Sequence, residues 1–307
     1  MSHGIVSRRE LIRRIALFSA GGALAPAVAS GLENEAATSV GPHQAEAHQE
    51  QLRMGSEQIG ILIYPESTAL DALGPHYPLS GMMGARVRFI AKTMETVPCE
   101  GAAHGGFCVK PHMAFADCTA PLDLLLVPGG LKGTLAAMMD DDTVGFIAAQ
   151  GKRAKLVASV CTGSLLLGAA GLLKGRRATS HWQTLELLKE AGATPVAERV
   201  VFDGADRVTA AGVSAGLDLG FELVRHYRGD FYAKGTQLLG EYDPHPPFSG
   251  GGNPRTADRS VVNMLNMMHG TIRRDLSVRH AVGHRQTRGM SGTDIFKQEP
   301  LPRSRRG

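Results

Sequence analysis

A chain of 307 residues has room for one large domain or two small ones, and 43% hydrophobic with 20% charged residues describes a soluble globular protein. Its net charge of +4 comes from the ends: residues 1–30 carry 4 Lys/Arg and 1 Asp/Glu, residues 251–307 carry 11 and 4, and residues 31–250 carry 18 and 24. That acidic centre excludes a nucleic-acid footprint by charge, and Cys99, Cys108, Cys118 and Cys161 show no C-x-x-C or Cys/His spacing that would fit a zinc site, although their even number permits disulfides.

The chain opens on Ser7-Arg8-Arg9-Glu10-Leu11-Ile12-Arg13, similar to the twin-arginine pattern S-R-R-x-F-L-K. An apolar stretch from Ile15 to Ala29 follows, broken by Gly21, Gly22 and Pro26, too short to span a membrane comfortably. Ala27-Val28-Ala29 fits a small-residue cleavage site, so residues 1–30 are expected to be an export signal and the mature protein periplasmic or exported; without a working signal it would be cytoplasmic. No membrane association is expected after signal removal. Residues 31–56, rich in Ala, Glu, His and Gln, are expected to be a disordered linker.

Ile59–Tyr64 reads as a buried strand, and Thr68–Pro75 as a helix start that Gly74-Pro75 interrupts. Val87–Ala91 is the next strand, and residues 96–116 suggest a hairpin or edge segment. Leu122–Val127 is a strand ending at Pro128-Gly129-Gly130, and a helix is expected around Asp142–Gly151. Lys155–Val160 is an apolar, β-branched strand running straight into Cys161-Thr162-Gly163-Ser164 and an apolar helix. Cys161 therefore sits at a sharp strand-to-helix turn, a thiol version of the nucleophile elbow, although Ser159-Val160-Cys161-Thr162-Gly163 is not the strict G-x-nucleophile-x-G form. Gly163 is expected to provide positive φ or close backbone approach, and the helix N-terminus to favour thiolate.

Arg177–Ser180 reads as a short strand before His181-Trp182, and Thr184–Glu190 as an amphipathic helix. Val200–Gly204 and Arg207–Ala211 read as a strand pair around a D-G turn, followed by a helix over Leu217–His226. Residues 255–274 place Val261, Val262, Met264, Leu265, Met267 and Met268 on one helical face, as in a final packing helix or dimer contact. Residues 276–307 are expected to be a disordered basic tail. Strands alternating with helices predict an α/β fold with a mostly parallel sheet covered on both faces, its ligand crevice at the C-terminal strand ends.

Tyr64-Pro65, Leu70-Asp71-Ala72-Leu73-Gly74-Pro75, Val127-Pro128-Gly129-Gly130, Ser159–Gly163, Ala178-Thr179-Ser180-His181-Trp182 and Gly212–Asp218 occur in this order in the DJ-1/PfpI superfamily, which is related to class I glutamine amidotransferases. With Glu241–Phe248, the chain most resembles the isonitrile hydratase branch over residues 57–275. The resemblance implies a flavodoxin-like three-layer sandwich, usually a homodimer, with Cys161 on a strained elbow and Asp71 on the first strand–helix loop facing it. The protease-like branch places histidine where this chain has Thr162, and several DJ-1-like members carry histidine where it has Thr194.

The branch implies a hydro-lyase that needs no cofactor and no metal: Cys161 attacks an isonitrile carbon, Asp71 moves the proton, and water resolves the thioimidate to an N-substituted formamide. Gly129, Gly130 and Thr162 are candidates to stabilise developing charge through backbone N–H groups, and His181 and Ser214 are candidate pocket residues. The expected partners are a small-molecule substrate and a second copy of the chain. His181 and the helix-capping Ser214 and Asp218 also suit structural roles, and His104, His112, His226 and His245 read as surface or packing residues. Two alternatives remain: glyoxalase or deglycase chemistry, and a non-enzymatic redox or ligand sensor, such as the sensor half of some AraC-type regulators. No helix-turn-helix pair is visible after residue 250.

Overall fold

The computed structural model describes residues 54–102 and 106–270. The expected export signal, residues 31–53 of the expected linker, His104 and the basic tail lie outside them.

Among the described residues, eleven strands and six α-helices follow in chain order: β1 (Gln58–Leu62), α1 (Ala69–Ser80), β2 (Arg86–Ala91), β3 (Val97–Pro98), β4 (Cys108–Val109), β5 (Met113–Ala114), β6 (Leu124–Val127), α2 (Leu131–Met138), α3 (Asp141–Gly151), β7 (Leu156–Val160), α4 (Gly163–Ala169), β8 (Arg177–Ala178), β9 (Thr194–Pro195), β10 (Val200–Asp203), β11 (Arg207–Ala210), α5 (Ala215–Leu239) and α6 (Arg259–Met268). The main sheet runs β10-β11-β7-β6-β1-β2-β5, parallel except for the β10–β11 hairpin. β3 and β4 pair antiparallel, as expected of a hairpin, and β5 joins the main sheet as its edge strand.

The β-branched and leucine runs form the central strands because both of their faces are covered. Ile59, Ile61 and Ile63 pack on one side with Ala72, Leu79, Leu219 and Leu223 of α1 and α5. Leu62, Leu125, Val127 and Val157 pack on the other with Ile147 of α3 and Leu165–Leu167 of α4. The result is a three-layer flavodoxin-like sandwich in which each fully buried aliphatic side chain contributes roughly 1.5–3 kcal/mol. Strand order reverses at β1: β2 lies on one side and β6 on the other. The loops after β1 and β6 therefore flank the crevice where open α/β sheets bind ligands.

Four elements differ from the sequence expectation. Helix α1 runs through Pro75 and Pro78 rather than stopping at Gly74. The prolines rest on Gly216 and Gly220 of α5, and this helix–helix packing outweighs the lost backbone bonds. Residues Leu185–Ala191 wind as a 3-10 helix, enough to bury Leu188 and Ala191 before Gly192 ends the turn. Helix α5 extends to Leu239 across a kink at Gly229 (φ 79°). Helix α6 is not a core helix: none of its residues is buried, and Val261, Met264, Met267 and Met268 are exposed. All four cysteines are free thiols. Among the described residues no helix is long and apolar enough to cross a membrane.

Candidate active site

The C-terminal end of β7 delivers Cys161 into the crevice. Its backbone adopts φ 58°, the left-handed region that costs a non-glycine residue about 1–3 kcal/mol. The strain falls on the cysteine itself rather than on Gly163, whose part is close approach: a Cβ there would collide with the carbonyls of Val127 and Pro128. Hydrogen bonds pin the strained residue. Cys161 N–H donates to the Ala211 carbonyl at 2.7 Å and the Ala210 carbonyl at 3.1 Å. The hydroxyls of Ser164 and Ser180 both donate to the Cys161 carbonyl at 3.2 Å.

Asp71 comes from the first turn of α1 and is fully buried. Its Oδ2 accepts Gly129 N–H at 2.9 Å, while Oδ1 is buried without an N–H or O–H partner. The carboxyl and the Cys161 thiol are near enough that each shifts the other's titration. Burial raises Asp71 to about 7, against the opposing pull of the Gly129 N–H and the thiol. Burial, then the Asp71 charge, push the thiol well above its ordinary value, although Thr162 N–H and its hydroxyl draw it down. Cys161 therefore rests as a thiol. The Thr162 N–H at the start of α4 does favour thiolate, but α4 is only seven residues long and desolvation outweighs that pull.

The glycine pair does different work from the one expected. Gly130 N–H donates to Thr162 Oγ1 at 2.9 Å, and Gly129 N–H is already committed to Asp71. Both position site side chains and neither is free for developing charge on a substrate. Thr162 Oγ1 continues to Thr134 Oγ1 at 2.7 Å and from there to the Tyr64 hydroxyl at 3.1 Å, a buried polar chain bracing the elbow. A Cβ on residue 129 would stand 2.6 Å from Thr162 N and Oγ1 and 2.9 Å from Asp71 Oδ2. Gly129→Ala is expected to lower kcat by at least about tenfold for a stability loss of only about 1–3 kcal/mol, read by steady-state rates beside a denaturation curve.

Cys161 opens on a cavity of about 170 Å³ whose walls include Thr68, Glu100, Leu131, His181, Trp182 and Val213. A cavity of about 330 Å³ lies elsewhere, around Ile63, Val97, Phe115 and Ala136; it touches Tyr64 but neither Cys161 nor Asp71. His181 is half-buried, and its Nδ1 accepts the Gln183 N–H at 3.3 Å. Burial, reinforced by His269, lowers it to about 4, so the ring is neutral at pH 7 with its proton on Nε2. It can donate a hydrogen bond into the cavity but is a poor base.

Residues 57–226 match the model of the DJ-1/PfpI family. The chain belongs to the DJ-1/PfpI family. It is 43% identical over 206 residues to an isonitrile hydratase from Pseudomonas putida, covering 67% of this chain and 87% of that protein. A crystal structure of a THiJ/PfpI family protein from Pseudomonas syringae is 42% identical, with a TM-score of 0.70 over 74% of this chain and 91% of that one. Oxidized DJ-1 from Toxoplasma gondii, at 19% identity and a TM-score of 0.54, shares the fold.

Within this DJ-1/PfpI chain the fold brings Cys161, Asp71, Gly129, Gly130 and Thr162 together, with His181 on the cavity wall. Ser214 is not there. It is exposed at the start of α5, where it takes Arg199 Nη2 at 3.3 Å and caps no backbone N–H. Asp218 likewise leaves the crevice, binding Arg199 and the Tyr242 hydroxyl. Several wall residues escaped the sequence reading. Glu100 follows β3, and Thr68 donates to its Oε2 at 2.8 Å; no local pattern marks either as near Cys161. Ser180 was legible only as part of a motif, and its partner, the Cys161 carbonyl, is set by the tertiary fold. Among the described residues no cluster of His, Cys, Asp and Glu could hold a metal ion.

Proposed function

We propose that this chain is an isonitrile hydratase-type hydro-lyase in which Cys161 and Asp71 act as one proton-sharing unit. The observation that carries the reading is a buried carboxyl held near neutrality and electrostatically coupled to a thiol on a strained elbow. The similarity to a protein named isonitrile hydratase supports the reaction class.

An isonitrile carbon carries a lone pair and is also electrophilic. Starting from the one-proton pair, Cys161 sulfur bonds to the isonitrile carbon as its thiol proton passes to the Asp71 carboxylate, and Asp71 gives that proton to the same carbon. A thioimidate, R–N=CH–S–Cys161, and an Asp71 carboxylate result. Asp71 next takes a proton from water as the water oxygen bonds to carbon, and the nitrogen gains a proton. The tetrahedral adduct expels Cys161 sulfur, forming the carbonyl, and the last proton returns to the thiol. The product is R–NH–CHO, with all atoms of isonitrile and water retained. Thr162 N–H, directed at the sulfur, favours the thiolate each time it forms. His181 Nε2–H is a donor toward the substrate nitrogen or the attacked carbon.

The direct test is conversion of a short alkyl isonitrile to its formamide by the purified protein. The active form of the pair holds one proton. Its first deprotonation falls near 7 and its second well above the ordinary cysteine range, so kcat/KM should rise through about pH 7 and stay flat to at least about pH 9. No formamide at any pH would sink the reading. A homodimer also accords with the family, and static light scattering would give twice the 32.5 kDa chain mass.

A further inference from the structure

Helix α6 lies beyond the matched family region, residues 57–226, yet Leu265 and the helix-ending His269 line the cavity that holds Cys161. None of its residues is fully buried and its methionine face is exposed, while Val262, Leu265 and Asn266 are half-buried. One side-chain amide ties it to the cavity wall. Gln183 is buried, and both ends of its amide are spent on α6 and the residue that ends it. Nε2 donates to the Leu265 carbonyl at 3.1 Å and reaches Asn266 Oδ1 at 3.5 Å, while Oε1 meets His269 Nδ1 at 3.0 Å. Those bonds fix the histidine with its Nδ1 proton on Gln183. They also hold the Leu265 backbone in place, which sets where its side chain closes the cavity.

We propose that α6 is the specificity wall of this site: Leu265 limits the size of the substrate's apolar substituent, and Gln183 is the positioning residue that holds Leu265 and His269 in place. The remaining walls suit an apolar group. Leu131, Trp182 and Val213 are half-buried, and the charged Glu100 is engaged by Thr68. With about 170 Å³ available, a compact alkyl group fits, and on this proposal a longer chain runs into Leu265. The substrate class rests on the isonitrile reading; the wall does not.

The test uses the full-length protein and a homologous series of n-alkyl isonitriles, read as the ratio of kcat/KM for a long chain to that for a short one. In the wild type the ratio should fall steeply as the chain outgrows the cavity. Leu265→Ala should raise it by about 10-fold or more, the range that a few methylenes in an apolar pocket control. Gln183→Ala should raise it in the same direction by freeing the helix. Partial unfolding would lower both rates together and leave the ratio alone. A second readout does not need the reaction: labelling of Cys161 by N-alkyl iodoacetamides of increasing length, resolved by peptide mass spectrometry from the exposed Cys108. The same length dependence, relaxed in both variants, is expected. Labelling rates that ignore chain length in the wild type, or a length dependence unchanged in both variants, would overturn the wall. Absence of isonitrile turnover with length-dependent labelling intact would overturn only the reaction.

Discussion

Asp71→Asn is expected to lower kcat/KM for isonitrile hydration by at least about 10³-fold while the protein stays folded. Asparagine keeps the shape, and its carbonyl oxygen can still accept Gly129 N–H, so the loop after β6 is not released. It cannot carry a proton to the isonitrile carbon or take one from water. The same variant should be more stable than the wild type in alkali. The folded carboxyl is held at about 7 against an ordinary 3.8 because burial penalises its charge. A group raised in this way supports the fold fully below the unfolded value, and its contribution is lost as pH climbs through the folded one. By pH 8–9 the buried ionised carboxylate costs up to about 4 kcal/mol, which the amide avoids. Denaturant midpoints at pH 5 and pH 9 should therefore converge in Asp71→Asn and diverge in the wild type. An active Asp71→Asn enzyme would remove the carboxyl from the chemistry.

Cys161→Ala is expected to abolish turnover, a loss on the order of 10⁴-fold or more, since the bond-forming atom is gone. The substitution leaves the φ 58° backbone in place, held by the Ala210 and Ala211 carbonyls and by Ser164 and Ser180, so the elbow keeps its geometry. Asp71 loses its thiol neighbour but keeps its burial, and stays high. Comparing the two variants separates their roles: both lose hydration, but only Asp71→Asn keeps the Cys161 thiol for an alkylating reagent to find at that peptide.

The sheet was legible because its signals are local. Ile59–Ile63, Leu124–Val127 and Leu156–Val160 are apolar runs bounded by turn residues, and that pattern alone marks buried parallel strands. Cys161 was legible as an elbow because strand composition changes to helix composition across it. What stayed hidden depends on contacts between distant residues. Pro75 and Pro78 signal a helix end unless α5 offers Gly216 and Gly220 to pack on. Thr162 N–H and the glycine pair look alike as free backbone donors. Only the fold reveals that Thr162 Oγ1 and Asp71 have already taken Gly130 and Gly129. The burial that keeps Cys161 a thiol comes from the surrounding walls, which a strand-to-helix pattern does not display. Helix α6 was legible as amphipathic, but its apolar face points away from the core, and the residues that meet the cavity are Leu265 and His269.

The claim at the centre of this account is a covalent bond from Cys161 to the isonitrile carbon, made with the Asp71 proton. Rapid acid quench of wild-type protein with excess alkyl isonitrile, followed by intact and peptide mass spectrometry, measures it directly. The account predicts an adduct heavier by the full mass of the isonitrile, located on the peptide bearing Cys161, absent in Cys161→Ala and strongly slowed in Asp71→Asn. Formamide produced at full rate with no adduct on Cys161, or by Cys161→Ala, would contradict it.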